Sequence, residues 1–93
     1  MSKLQVSVII PVHNGAEYIA KALDSALAQD VPLEILVIDD LSEDDLDTVM
    51  EPYLCDPRIR YMKNSSQLGV AQSRNKGVAL VRGTYVEFLD ADG

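Results

Sequence analysis

One cysteine, one histidine, few basic residues and no long apolar run are the scarcities of this 93-residue chain, and each removes a class of function. The lone Cys55 rules out an internal disulfide and fits a reducing compartment; near the expected end of a helix, packing is its commoner role. The lone His13 makes no zinc site. Eight Lys and Arg stand against fifteen Asp and Glu, a net charge of −7, so nucleic acid is excluded as a partner. An anionic ligand would need a metal, a helix N-terminus or a local arginine to offset that field. The apolar run Val6–Val12 is too short for a signal peptide and holds Pro11. No stretch reaches the length of a membrane span, so a cytoplasmic location is expected, with room for a membrane-associated parent protein.

What is present is enough for one domain with a core: 47% apolar residues, four tyrosines and one phenylalanine. Leu4–Ile10 is β-branched and almost wholly apolar, the pattern of a strand buried on both faces, with Pro11 expected to end it. Asn14 and Glu17 resemble a capping box for a helix over 16–28, with Ile19, Ala22, Leu23, Ala26 and Leu27 as its apolar stripe. Leu33–Ile38 is a second buried strand, ending at Asp39 and Asp40. Ser42 is placed to cap a second helix with an acidic first turn and an inner stripe of Leu46, Val49, Met50, Tyr53 and Leu54. Arg58–Met62 alternates charged and apolar residues and reads as an edge strand. A polar loop, Asn64–Gly69, leads to a third helix over 70–81, and Gly83 precedes a last strand, Thr84–Leu89.

The order βαβαβαβ predicts an open, doubly wound parallel α/β sheet, a Rossmann-like arrangement with strand order 3-2-1-4. The last strand, mostly apolar, would then lie on a free edge, which predicts truncation of a larger domain and self-association through that edge.

Ligands in such sheets sit beyond the carboxyl ends of the strands, where the order reverses. His13, Asn14, Asp39, Asp40, residues 64–69, Asp90 and Asp92 all fall there. Asp90 and Asp92 are two apart in extended chain and share a side, a geometry suited to Mg²⁺ or Mn²⁺. Four aspartates on one rim would raise one another's pKa unless a cation sat among them. Singly each signal is weak: Asp39-Asp40 and Asp90-Ala91-Asp92-Gly93 are equally good turn sequences. Arg74 and Asn75 are expected on the inner face of the third helix with Ala71 and Val78, where a cation wants a rim carboxylate or a ligand.

Taken together, VSVIIPVHNGAEYIAKALDSALAQ, EILVIDDLSEDD and NSSQLGVAQSRNKGVALVRGTYVEFLDADG resemble the start of an inverting glycosyltransferase of family 2, over essentially the whole chain. The resemblance implies the nucleotide-binding N-terminal part of a GT-A fold. It implies transfer of a sugar from a nucleoside-diphosphate donor, often UDP-linked, to the hydroxyl of a saccharide or lipid-linked acceptor, with inversion. Pro11, His13 and Asn14 match the P-V-Y-N motif lining the base, with His13 in the place of a stacking tyrosine. Asp40 matches the acidic residue that bonds the base, and Arg74 and Asn75 match A-R-N beside the nucleotide. Asp90 and Asp92 match DxD, the second binding Mn²⁺ or Mg²⁺ on the diphosphate and the first lying toward the ribose. Gly15 and Gly93 depart from residues that are commonly acidic in the family. The family's general base and acceptor half lie beyond this motif, so the 93 residues alone are expected to be inactive. The alternative reading is a non-catalytic phospho-receiver or flavodoxin-like binding module. Against it, the acidic pair follows the second strand and not the first, and no later lysine sits in the expected place. A dinucleotide-binding domain is weaker still, since no G-x-G-x-x-G turn follows the first strand.

Overall fold

A computed structural model describes residues 4–90 as a four-stranded sheet with helices on both faces. Strands β1 (Val6–Val12), β2 (Leu33–Asp39), β3 (Ile59–Lys63) and β4 (Tyr85–Phe88) are all parallel, in the order β3-β2-β1-β4, as expected. Helices α1 (Ala16–Leu27), α2 (Leu46–Met50) and α3 (Val70–Leu80) alternate with them. None of the described helices is long and apolar enough to cross a membrane.

The register Val8↔Ile35 and Ile10↔Val37 puts Val8, Ile10, Val12, Leu33, Ile35 and Val37 on one face, where they pack with Ile19, Leu23 and Ala26 of α1 and Leu46 and Met50 of α2. Ser7, Ile9, Glu34 and Ile38 point the other way, toward α3. Both central strands are covered twice, which is why their sequences are apolar almost throughout.

Several local expectations are corrected. Pro11 lies inside β1, opposite Ile38. Its nitrogen faces the β4 side, where Leu89 N–H to Ile9 O (3.0 Å) is the closing bond of the β1–β4 pairing, so no donor is missed on the β2 side. Proline therefore stops one ladder and leaves the other intact.

Asn14 does not cap α1: Gly15 holds that position, and the Ala16 N–H is taken by Asp44 Oδ2 (3.0 Å) from the loop after β2. Ser42 does not cap α2, which begins after Asp45 and gives way at Pro52 to a 3₁₀ turn, Glu51–Tyr53. Leu54, assigned to its inner stripe, is exposed. On α3 the inward residues are Ser73 and Gly77, while Ala71, Asn75 and Val78 are exposed and Arg74 is half-buried. Small residues face inward because α3 lies close to the sheet: a Cβ on Gly77 would stand 2.8 Å from Ile9 Cγ2.

Candidate functional site

The C-terminal ends of the strands carry three connected groups of side chains. The first joins the loops after β1 and β2. His13 Nδ1 is 2.8 Å from the Asp40 backbone carbonyl. A carbonyl only accepts, so that nitrogen carries the proton and Nε2 is left to accept from the Asn14 amide at 3.3 Å. Asn14 adopts a left-handed φ of 56°, which asparagine tolerates, and its Oδ1 accepts from the Glu43 N–H at 2.7 Å while its own N–H donates to Ser42 Oγ at 2.9 Å. Leu41 also sits at φ 56°, an uncommon conformation for a bulky residue, directly between the aspartate pair and Ser42.

The second group is built on Asp40, which is 5% exposed. Its Oδ1 accepts from the Leu68 N–H (2.7 Å) and the Asn64 amide (2.9 Å), and its Oδ2 from the Gly69 N–H (2.9 Å). Asn64 in turn donates to Ser73 Oγ (3.1 Å) and accepts from Lys76 Nζ (2.8 Å). Burial pushes the Asp40 carboxyl up, but the Leu68, Asn64 and Gly69 donors outweigh it and hold the carboxyl below its ordinary value. Gly69, at φ 87°, is the residue before α3, so a carboxylate from β2 already sits at the positive end of that helix.

The third group lies at the end of β4. Arg74 Nη2 donates to Asp90 Oδ1 at 3.2 Å, and the guanidinium stands 5.5 Å from the centroid of Phe88. The Nε of Arg74 is buried and has no hydrogen-bond partner among the described residues. The rim carboxylate was an expected partner for Arg74, and the structure supplies it.

Of the residues anticipated from sequence, Pro11, His13, Asn14 and Asp40 thus gather around the β1 and β2 loops. Arg74 and Asp90 pair at β4, the strand next to β1 in the sheet, and Asn75 points to solvent on α3. Asp92, the expected principal metal ligand, lies outside the described residues. Mutual elevation of the rim aspartates does not occur at Asp40, whose pKa is lowered because fold donors neutralise it. Asp39 is likewise engaged, by Ser42 N–H (2.8 Å), with the Tyr61 hydroxyl, whose one proton is shared with Asp47 Oδ1 at 2.8 Å, standing 3.2 Å away. Crowding of carboxylates therefore does not by itself demand a cation. Among the described residues no cluster of three or more His, Cys, Asp or Glu could hold a metal ion.

Sequence reasoning missed the roles of Asn64, Ser73 and Lys76, although it placed residues 64–69 at the rim. It also missed Glu34, a charged residue within an apolar strand, whose 3% exposure marks it as bonded. A groove of about 290 Å³ lined by Leu33, Glu34, Arg60 and Arg82 lies at the opposite, N-terminal edge of the sheet.

A profile of the family described as glycosyl transferase family 2 matches residues 7–93. An uncharacterized glycosyltransferase of Rickettsia felis is 42% identical over 89 residues, 95% of this chain and 15% of that protein. The structure of S. aureus TarS 1-349 in complex with UDP-GlcNAc superposes with a TM-score of 0.87 at 30% identity, over 96% of this chain and 27% of that one. The mannosyltransferase PcManGT from Pyrobaculum calidifontis, in complex with GDP-Man and Mn²⁺, gives a TM-score of 0.85 at 28% identity, over 99% of this chain and 28% of that one. The chain spans well under half the length of each of these proteins.

Proposed function

Because the chain belongs to glycosyl transferase family 2, we propose that it forms the donor-binding part of an enzyme that transfers a sugar from a nucleoside diphosphate, UDP in the first instance, to an acceptor hydroxyl. The phospho-receiver and flavodoxin-like alternatives lapse with that membership. The observation that carries the proposal is the Arg74–Asp90 pair at the end of β4, the strand beside β1 where the strand order reverses, with Arg74 Nε left unbonded among the described residues. A buried donor without an acceptor is costly, and a ligand oxygen would relieve it.

The nucleotide would lie across the β1 loop, with His13 against the base and Arg74 toward its anionic end. Asp40 orders the loop 64–69 and the start of α3 beneath it. Asp90 and Asp92 would supply carboxylate oxygens, the donor type that suits a hard divalent cation such as Mn²⁺ or Mg²⁺. Such an ion supplies charge neutralisation of the diphosphate leaving group. In the transfer, the acceptor oxygen attacks the anomeric carbon from the face opposite the diphosphate, the carbon–oxygen bond to the diphosphate breaks, and the configuration inverts. The acceptor proton passes to a base that we place outside these 93 residues. Support for that placement is that Asp39, Asp40, Asp44 and Asp90 are each already bonded within the fold.

Calorimetric titration of UDP and of GDP, with and without Mn²⁺, tests the proposal. Metal-dependent binding is expected, weakened at least tenfold in Asp90→Ala and in Asp92→Ala, with no sugar transfer by the 93 residues alone. Failure of both nucleotides to bind, or binding indifferent to metal and to both substitutions, would sink it.

A further inference from the structure

Glu34 is a charged side chain buried at the N-terminal edge of the sheet, remote from the strand ends that carry the candidate site, and its bonds converge on one turn. Its Oε2 accepts from Ser7 Oγ–H (2.7 Å) and from the Arg82 N–H (2.6 Å), and its Oε1 from Arg60 Nη1 (3.2 Å). Arg60 Nη1 also donates to Leu80 O (2.9 Å), the last carbonyl of α3. The Gly83 N–H donates to Ser7 Oγ at 2.8 Å. Two successive amides of the α3–β4 turn are thus clamped onto β1 and β2 just before β4 begins. The approach is close enough that a Cβ on Gly83 would stand 2.7 Å from Ser7 Oγ.

Strand β4 needs such a clamp. All four of its residues are exposed, and among the described residues it pairs with β1 alone. Along β4 itself neither face is buried, so apolar packing bears on its register only through Leu89, just past its end, which packs partly against the core. Backbone ladders repeat every two residues, so a slip of two would keep the bonding and carry Asp90 about 7 Å along the strand. A slip of one would turn the side chain to the other face. The turn bonds to Glu34 and Ser7 break that degeneracy by fixing Arg82 and Gly83, and so the pairing of Tyr85 with Val6.

We propose that Glu34 is a positioning residue: with Ser7 it locks the α3–β4 turn and thereby sets the register that stands Asp90 beside Arg74 at the far end of β4. Its consequence for ligand binding rests on the donor-site reading above.

The experiment compares this chain with Glu34→Gln and, in case that variant fails to fold, Ser7→Ala, by residue-resolved amide exchange. Expected is a tenfold or greater acceleration at Arg82, Gly83, Tyr85 and Leu89. The Asp40 and Asn64 amides, whose acceptors are Val12 O and Asp39 O, should stay within about twofold of the parent. The Arg74 Nε–H resonance, close to the Phe88 ring, should move as the pairing with Asp90 is lost. Mn²⁺–UDP affinity should fall at least tenfold. Equal acceleration across β1, β2 and β4 would show a general structural role and overturn the proposal, as would unchanged β4 exchange or an unmoved Arg74 resonance. If the parent itself binds no Mn²⁺–UDP, the donor-site reading fails, while exchange and resonance still decide the register claim.

Discussion

Asp40 shows how one side chain can serve the fold in a place where a ligand contact was anticipated. Removing its carboxylate in Asp40→Ala takes the acceptor from the Leu68 and Gly69 amides and one of two from the Asn64 amide, which keeps Ser73 Oγ. A buried donor left without a partner costs about 1–3 kcal/mol. A loss of about 3 kcal/mol in urea unfolding is expected, and a change below about 1 kcal/mol would show that water replaces the carboxylate at little cost. The acid limb of stability follows from the same bonds. Burial raises the Asp40 and Glu34 carboxyls, but their hydrogen bonds hold both below their ordinary values. A depressed folded pKa contributes stability that is present above the unfolded pKa and is lost as pH falls toward the folded one. The urea midpoint should therefore hold from pH 7 to pH 5 and drop below about pH 4, with a smaller drop in Asp40→Ala. The aspartate pair at the end of β2 was legible in sequence as a rim feature. Its partners were not, because Leu68 and Gly69 donate through backbone, which leaves no mark in side-chain pattern.

At the scale of elements, helix α3 departs furthest from the pattern its sequence suggests. Its inward positions are Ser73 and Gly77, so helical periodicity of apolar residues, which located α1 correctly, pointed to the wrong face of α3. Close approach to the sheet selects small residues there, and apolar Val70 and Val78 are left outside. Alanine is a better helix former than glycine by about 1 kcal/mol, yet at Gly77 its Cβ would meet Ile9 Cγ2 at 2.8 Å and Ile38 Cδ1 at 3.1 Å. Both side chains are fully buried, and overpacking costs about 1–3 kcal/mol. Gly77→Ala should thus be net destabilising by roughly 1 kcal/mol in chemical denaturation. A more stable variant would mean that α3 lifts off the sheet without penalty. Helix α1 gives a complementary case. Asn14 had the right chemistry for its cap, but that side chain turns to the Glu43 amide and Asp44 supplies the bond to Ala16 from 28 residues away.

For the molecule as a whole, β4 pairs with β1 alone among the described residues, which leaves its other edge open. Tyr85 (65% exposed), Phe88 (46%) and Val86 lie on β4, with Val70, Val78 and Leu80 exposed on α3. An unpaired strand edge with apolar side chains is a template for another strand. The isolated chain is therefore expected to self-associate, with a sedimentation mass that rises above 10.2 kDa with concentration and returns toward it in Val86→Lys. A monodisperse monomer at high concentration would refute this.

The sequence alone determined the β/α alternation, the strand order with β1 central, and the set of loops that form the rim, because hydrophobic period and short connections are local properties with few global solutions. It also determined the family, since four separated motifs agree in order. Only the tertiary structure decided which carboxylate is bonded to which loop, which face of α3 turns inward, and how β4 is held in register. Those outcomes rest on backbone donors and on contacts between residues dozens of positions apart, and no periodicity in the chain encodes such distances.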